Sequence, residues 1–263
     1  MSAGGSRSNV VSSFTVVKGS LIDETYTAFA GWDFSLSKRE NLRLMEEENR
    51  IGSQSHNWLR DVRKVLNRRF DPEGRDRPLV ELARGSCDRS IWRPLLLWHM
   101  TRDEFLVRDF LTNWLYRQYV EGAYRLTPAD VLPYLRSLAK RKGIVGADNW
   151  STATTERVAS GLLRIAADFG LLTGGTVKRF GSYHLPDDSF LYLLHAVAQS
   201  EPNAGRIVAS PEWRLYLMDT DDIERELLRL HQFHRVEYEA AGSLARLDLP
   251  ADSPGAYARE LVA

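Results

Sequence analysis

The stretch Thr127–Phe169, TPADVLPYLRSLAKRKGIVGADNWSTATTERVASGLLRIAADF, decides the fold class. Thr127 is a helix cap, Pro128 suits the first helical position, and Asp130 puts negative charge in the first turn. Leu132, Leu135 and Leu138 carry that helix to Lys140-Arg141-Lys142, and Gly143 stops it. A turn over residues 144–150 leads to a second helix running from Ser151 to Phe169. Val158, Leu162, Ile165 and Phe169 fall on its buried face at i, i+4, i+7 and i+11. Gly170–Gly175 closes it, and two short strand-like runs, Thr176–Phe180 and Ser182–Leu185, follow around Gly181. Helix, turn, helix and hairpin is the order of a winged helix-turn-helix module, predicted over residues 126–185.

Upstream, residues 13–125 read as a helical domain. Its first segment, from Phe14, looks strand-like or looped, and a short helix follows Gly19-Ser20 with Ser20 as cap. Ser37–Glu48 is a polar helix ending near Asn49. Residues 55–70 form a basic amphipathic helix with Ser53 or Ser55 at its start. Trp58, Leu59, Val62, Val65 and Leu66 fall on one arc of its wheel; His56, Arg60, Arg63, Lys64, Asn67 and Arg68 fall on the other. Residues 78–121 give two or three helices with a core of Trp92, Trp98, Phe105, Phe110, Trp114, Tyr116 and Tyr119, and Arg93-Pro94 marks a helix start or kink.

Downstream, residues 186–263 form an acidic helical module. Pro211–Leu217 and Asp221–His234 look helical, and Arg235–Ala241 and Leu244–Leu249 look like strands joined at Gly242 in a terminal hairpin. The whole is predicted to be mainly α, with multi-helix, helix-turn-helix-containing lobes and small winged β-hairpins. Residues 1–12 are Ser/Gly-rich and read as a disordered lead, without the apolar run of a signal peptide.

Length, 43% hydrophobic content and 27% charged content fit a soluble globular protein. One cysteine, Cys87, rules out an internal disulfide or a cysteine zinc cluster and points to a reducing, cytoplasmic setting. No apolar run reaches the ~18 residues of a membrane helix. The net charge is zero, yet it is unevenly spread. Residues 185–263 hold 7 Lys+Arg against 14 Asp+Glu, a charge of −7, so residues 1–184 hold the remaining 28 against 21, or +7. A basic part facing a polyanion and an acidic part with another role account for that asymmetry.

The basic helix is the first candidate site: Arg60, Arg63, Lys64 and Arg68 suit phosphates, against the plain alternative of a solvated face partly neutralised by Asp61. The helix from Ser151 is the second, with Thr154, Arg157 and Arg164 toward DNA; one hydroxyl of its Ser/Thr run serves as the cap and the others remain free. Lys140, Arg141 and Lys142 equally suit a helix C-terminus, and Lys178 and Arg179 a solvated hairpin tip. His231, His234 and Glu237 have a spacing that can bring two imidazoles together, but the helix ends near His234 and no further ligands are evident, so no metal is expected. Asp219-Thr220-Asp221-Asp222 is a helix start. No Walker loop, GxGxxG, GxSxG or HExxH occurs, so neither enzymatic activity nor a cofactor is expected.

Several blocks in order carry a family resemblance: Ser13-Phe14, Lys18-Gly19-Ser20-Leu21 and Glu24-Thr25, then Asn49-Arg50 and Ser53 leading to Arg68-Arg69-Phe70, then Trp150-Ser151, Leu162-Leu163 and Phe169-Gly170-Leu171-Leu172. Over residues 13–262 the chain resembles the BrxA family of bacteriophage-exclusion (BREX) defence systems. The resemblance implies a mostly helical fold, in part similar to the RNA-binding factor NusB. It also implies binding of double-stranded DNA beside a methyltransferase, an ATPase and a phosphatase-like protein; no membrane is expected, because nothing in this sequence supports one. An RNA-binding role and a protein-only adaptor role remain the alternatives.

Overall fold

The segment from Phe14, expected to open as strand or loop, is instead the helix α1 (Ser13–Lys18) in the computed structural model, which describes residues 9–241 and 244–263. Ser12 caps it by accepting from the Thr15 amide (3.3 Å), and burial of Thr15 and Val16 outweighs their β-branched preference. The chain ahead of it is already engaged, because Val11 donates to Val145 O (2.9 Å). Residues 1–8 of the expected lead lie outside the described residues.

The helix α2 (Ile22–Ala30) starts without a side-chain cap; Ser20 donates instead to Asp168 (2.7 Å). Next come α3 (Lys38–Glu47), with a Ser37/Glu40 capping box, and α4 (His56–Arg69), capped by Ser55. The aromatic region gives α5 (Arg77–Arg84), α6 (Arg89–Met100), α7 (Phe105–Asp109), a π-helical stretch (Phe110–Leu115) and α8 (Tyr116–Val120). Pro94 sits inside α6, whose start is set by Asp88 five residues before the expected Arg93. Trp92, Trp98, Phe110 and Trp114 are core residues and Phe105 and Tyr116 are half-buried against them, but Tyr119, in the last turn of α8, is exposed.

The two decisive helices are α9 (Pro128–Ala139), opened by a Thr127/Asp130 capping box, and α10 (Thr152–Asp168), capped by Ser151. The hairpin comes earlier than expected. Its strands are β1 (Leu172–Thr173) and β2 (Arg179–Phe180), and Ser182–Leu185 is not a strand. The cause is Gly174, at φ +99, where a Cβ would meet Val177 O at 2.5 Å; the glycines taken for a helix stop form the hairpin turn. Leu126 and Lys178 exchange two backbone bonds of 2.8 Å, an isolated antiparallel bridge that ties the chain ahead of α9 to the residue before β2.

The remaining elements are α11 (Asp187–Ala198), α12 (Ala204–Val208), a 3₁₀ turn (Pro211–Tyr216), α13 (Thr220–Gln232), the antiparallel strands β3 (Glu237–Ala241) and β4 (Leu244–Asp248), and α14 (Pro254–Glu260). Gly242, the expected joint, lies outside the described residues. The hairpin is not terminal, because α14 follows it and packs on α5 and α11. Packing is continuous across the expected boundaries at 125/126 and 185/186: Tyr134 reaches Asp109, α11 lies on α6, and one buried core runs from Val11 to Ala258. The fold is mainly α with small β-hairpins. No helix of the described residues is long and apolar enough to cross a membrane.

Two buried polar groups tie this core together. Arg69, at the end of the basic helix, is wholly buried and donates to Glu104 (3.2 Å) and to the carbonyls of Thr15 (2.9 Å), Gly19 (2.8 Å) and Ser20 (3.1 Å). In the other, His99 bridges Asp76 (2.7 Å) and Tyr192 (2.8 Å). Burial would raise Asp76, but His99 and the Asp71 amide outweigh it and hold the carboxyl below its usual range. Ionised Asp76 only accepts, so Nδ1 of His99 carries the proton and Nε2 accepts from Tyr192. Burial also lowers the imidazole's affinity for a second proton, against the pull of Asp76.

Two outcomes follow from these groups. Glu104→Ala is expected to cost about 3–5 kcal/mol in urea unfolding by leaving Arg69 buried without its counter-charge; a loss below ~1 kcal/mol would refute that role. For His99, the unfolded ring takes up a proton near pH ~6.5 while the folded ring resists it, so its contribution is complete above that value and lost as pH falls. The urea midpoint should therefore drop between about pH 7.5 and about pH 5.5, and His99→Gln should narrow the drop. A wild-type midpoint equal at both pH values would sink this assignment.

Candidate nucleic-acid interface

The amphipathic pattern of α4 divides its cations into three groups. Leu59, Val62, Val65 and Leu66 face the core, and Arg69 joins them. Arg60 and Lys64 are exposed on the opposite side with Asn57 and Asn67. Arg60 hydrogen-bonds the Asn57 side chain, and Lys64 has no hydrogen bond or ion pair with another described residue. The third group is turned toward neighbours. Arg63 pairs with Glu46 of α3 (2.7 Å), and Arg68 donates to Val10 O (3.0 Å) and lies 3.9 Å from Glu104.

α1 brings this helix next to α10. Lys18 pairs with Asp61 of α4 (2.5 Å), so the one carboxylate on the basic helix is taken up by α1 rather than by its own arginines. On the other flank, Arg164 of α10 donates to Val17 O (2.6 Å). α1 also packs directly on α10 at Gly161, where a Cβ would meet Val16 O at 2.9 Å. The same N-terminal segment reaches the α9–α10 loop through Val11 and Val145. Two regions far apart in sequence, α4 and the α9–α10 loop with α10, therefore meet on residues 10–18.

The exposed stripe of α10 runs through Thr152, Ala153, Glu156, Arg157, Ser160 and Arg164. Arg157 is exposed and donates only to Ala153 O (3.2 Å). Thr154 is less available than its position suggested: its hydroxyl bonds the capping Ser151 (3.0 Å), and Thr155 returns to Ser151 O (3.0 Å). Two grooves flank Arg164. One, of about 500 Å³, lies between α1 and α10 along Arg157 and Ser160. The other, of about 610 Å³, is lined by Lys18, Trp58, Arg89 and Arg93 with Asp23, Glu24 and Asp168. Lys18, Arg89 and Arg93 escaped the sequence reading because no periodicity relates them; only the close approach of α1, α6 and α10 assembles them.

The other predicted cations separate into anchored and free. Arg141 is structural: it forms a two-bond fork to Asp109 (2.9 and 3.1 Å), which also accepts from Tyr134 (2.8 Å) and Asn113 (2.9 Å). Burial opposes the Asp109 charge, but those donors outweigh it and hold the carboxyl low, and the same pairing raises Arg141. Lys140 and Lys142 are exposed on either side of it. Lys178 closes the hairpin turn on Gly174 O (2.7 Å), and Arg179 lies over the Tyr124 ring at 5.0 Å.

His231 accepts from the Tyr238 amide (3.2 Å), and His234 stands beyond α13 at φ 56. Among the described residues no three His, Cys, Asp or Glu side chains are grouped to hold a metal ion. Cys87 is buried, and burial with Asp88 and Asp188 pushes its thiol up to about 11.

The sequence model of the BrxA family, a BREX-associated family, matches residues 12–196, which is 185 of the 263 positions. The resemblance read to residue 262 is thus carried by the family only as far as α11. No curated protein matches the chain.

Filling the α1–α10 contact tests this geometry. Gly161→Leu is expected to lift α1 from α10 and to speed amide exchange over residues 13–18 by at least about tenfold. Hydrogen–deuterium exchange reads this directly, and unchanged protection there would show that α1 does not depend on α10.

Proposed function

The chain belongs to the BrxA family, and on that premise we propose that it is a non-enzymatic, double-stranded DNA-binding accessory protein of a BREX phage-defence system. The observation that carries the reading is the meeting of two cationic helix faces on α1, with Arg60 and Lys64 on one side and Arg157 and Arg164 on the other. Such an array suits a ladder of phosphates, where each cation displaces condensed counterions and little sequence is read. Lys140 and Lys142 extend it along the α9–α10 loop.

The order of elements gives a second line of support. The Leu126 bridge, α9, α10 and the β1–β2 hairpin follow one another in the order of a winged helix, with Leu126 paired to Lys178 at the place a third strand would take. In such modules the N-terminal half of the second helix faces the groove, and here that half carries Arg157 and the hydroxyls of Thr152 and Ser160. The methyltransferase, ATPase and phosphatase-like components remain proposed partners, with the DNA as their common ground.

The test is fluorescence anisotropy on a duplex of about 25 bp across a salt series. Wild type should bind with a steep salt dependence. In the Arg60→Gln/Lys64→Gln/Arg157→Gln variant, the slope of log K on log salt should flatten by about 2–3, at ~0.9 per lost contact. These residues are exposed, so the fold should not respond. Binding that the variant leaves untouched would move the interface elsewhere. Preference for RNA, or no nucleic-acid binding with the protein folded, would favour the RNA-binding or adaptor alternative.

A further inference from the structure

Nine large apolar side chains are exposed among the described residues, and four of them, Tyr119, Val120, Tyr124 and Val177, gather at one place. The Leu126–Lys178 bridge draws the end of α8 and the following segment against the hairpin. Tyr119 meets Phe180 edge to face at 5.3 Å, and Arg179 covers the Tyr124 ring at 5.0 Å. Even so, Tyr124 remains 75% exposed and Val120 66% exposed. A tyrosine backed by a guanidinium and otherwise open to solvent is a fixed flat surface, with its rotamer held from behind.

The charge around it indicates what covers it. Residues 117–126 and 174–180 carry Arg117, Arg125, Lys178 and Arg179 against Glu121, and beside them Arg214 and Arg225 face Asp219, Asp222 and Glu226, so cations remain in excess by six to four. An apolar protein surface would gain nothing from this excess, whereas a polyanion with aromatic faces satisfies both features. Paired bases in a duplex present only their edges, because their faces are stacked on neighbours. A tyrosine ring met face-on therefore requires bases out of the stack.

We infer that the Tyr124–Arg179 pair, flanked by Tyr119, Val120 and Val177, is a stacking platform for unpaired nucleobases of DNA whose phosphates the surrounding arginines hold. The inference rests on the DNA-binding reading above and deepens it: the helical faces hold duplex, and the hairpin side recognises where the duplex is open.

The experiment compares two DNAs of equal length and phosphate number, one fully paired and one with a short central unpaired loop, at one salt concentration. Wild type should bind the looped DNA at least about fivefold more tightly, the lower end of what one stacked base supplies. Tyr124→Ala should abolish the preference without changing duplex affinity, and Tyr124→Trp should keep it. Thermal melts of both variants should match wild type, since the side chain is exposed. Equal wild-type affinity for the two DNAs, or a preference that survives Tyr124→Ala, overturns the platform and leaves duplex binding standing. Binding to neither DNA overturns both readings.

Discussion

The buried guanidinium of Arg69 is the constraint on which the candidate interface depends. A six-residue helix has no stability of its own, and α1 ends in carbonyls that need donors. Arg69 donates to Thr15 O, Gly19 O and Ser20 O, placing a positive charge where the helix dipole is negative. Glu104 supplies the opposite charge and accepts from the Thr15 hydroxyl as well (2.9 Å). Burial lowers the guanidinium's hold on its proton, and Glu104 works against that loss. Removing charge from water is costly, and this pair is tolerable because nearly every donor finds an oxygen.

From that anchor the rest of the interface is geometric. α1 is fixed at its C-terminus by Arg69 from α4 and along its length by the bare backbone approach at Gly161 of α10. Two helices remote in sequence are thereby held to one short strut, and the outward side of each carries cations. The basic helix thus uses its arginines in two senses. One points inward and builds the platform; Arg60 and Lys64 point outward from it. Arg63 and Arg68 sit between these extremes, each committed to a neighbouring element.

The helices were legible where periodicity and caps coincided. Thr127 with Asp130, Ser151 and Ser55 each stand at the observed start of a helix, and the apolar arc of α4 is its buried face. Arg69 was illegible because an arginine in a basic run reads as solvated; only Glu104, thirty-five positions away, makes it a core residue. The pairing of Arg141 was illegible for the same reason, since Asp109 lies on another helix. α1 was missed because local β-branched preference is weak beside burial. The hairpin was displaced because a glycine pair after a helix is both a stop signal and a turn, and only the close approach at Val177 O decides between them. α11, α12 and α14 were not assigned, because within residues 186–263 only Pro211–Leu217, Asp221–His234 and the two strands were read as elements.

The acidic segment answers how a chain of zero net charge presents a basic face. Six of its fourteen carboxylates pair with its own arginines: Asp187 and Glu226 with Arg229, Asp188 with Arg235, Asp222 with Arg225, Glu201 with Arg206, and Asp248 with Arg246. Among the described residues it also pairs with the rest of the chain through Arg108–Glu212 and Arg259–Glu81, and neither of these pairs involves α4 or α10. Arg229 gains enough from its two carboxylates to be raised well above the ordinary guanidinium range. Charge that is paired locally has little reach beyond ~8 Å at physiological salt. The −7 of residues 185–263 is the excess that local pairing leaves over; it cancels the total, but among the described residues none of its carboxylates pairs with Arg60, Lys64 or Arg157, so the sum of charges says less about binding than where the pairs close.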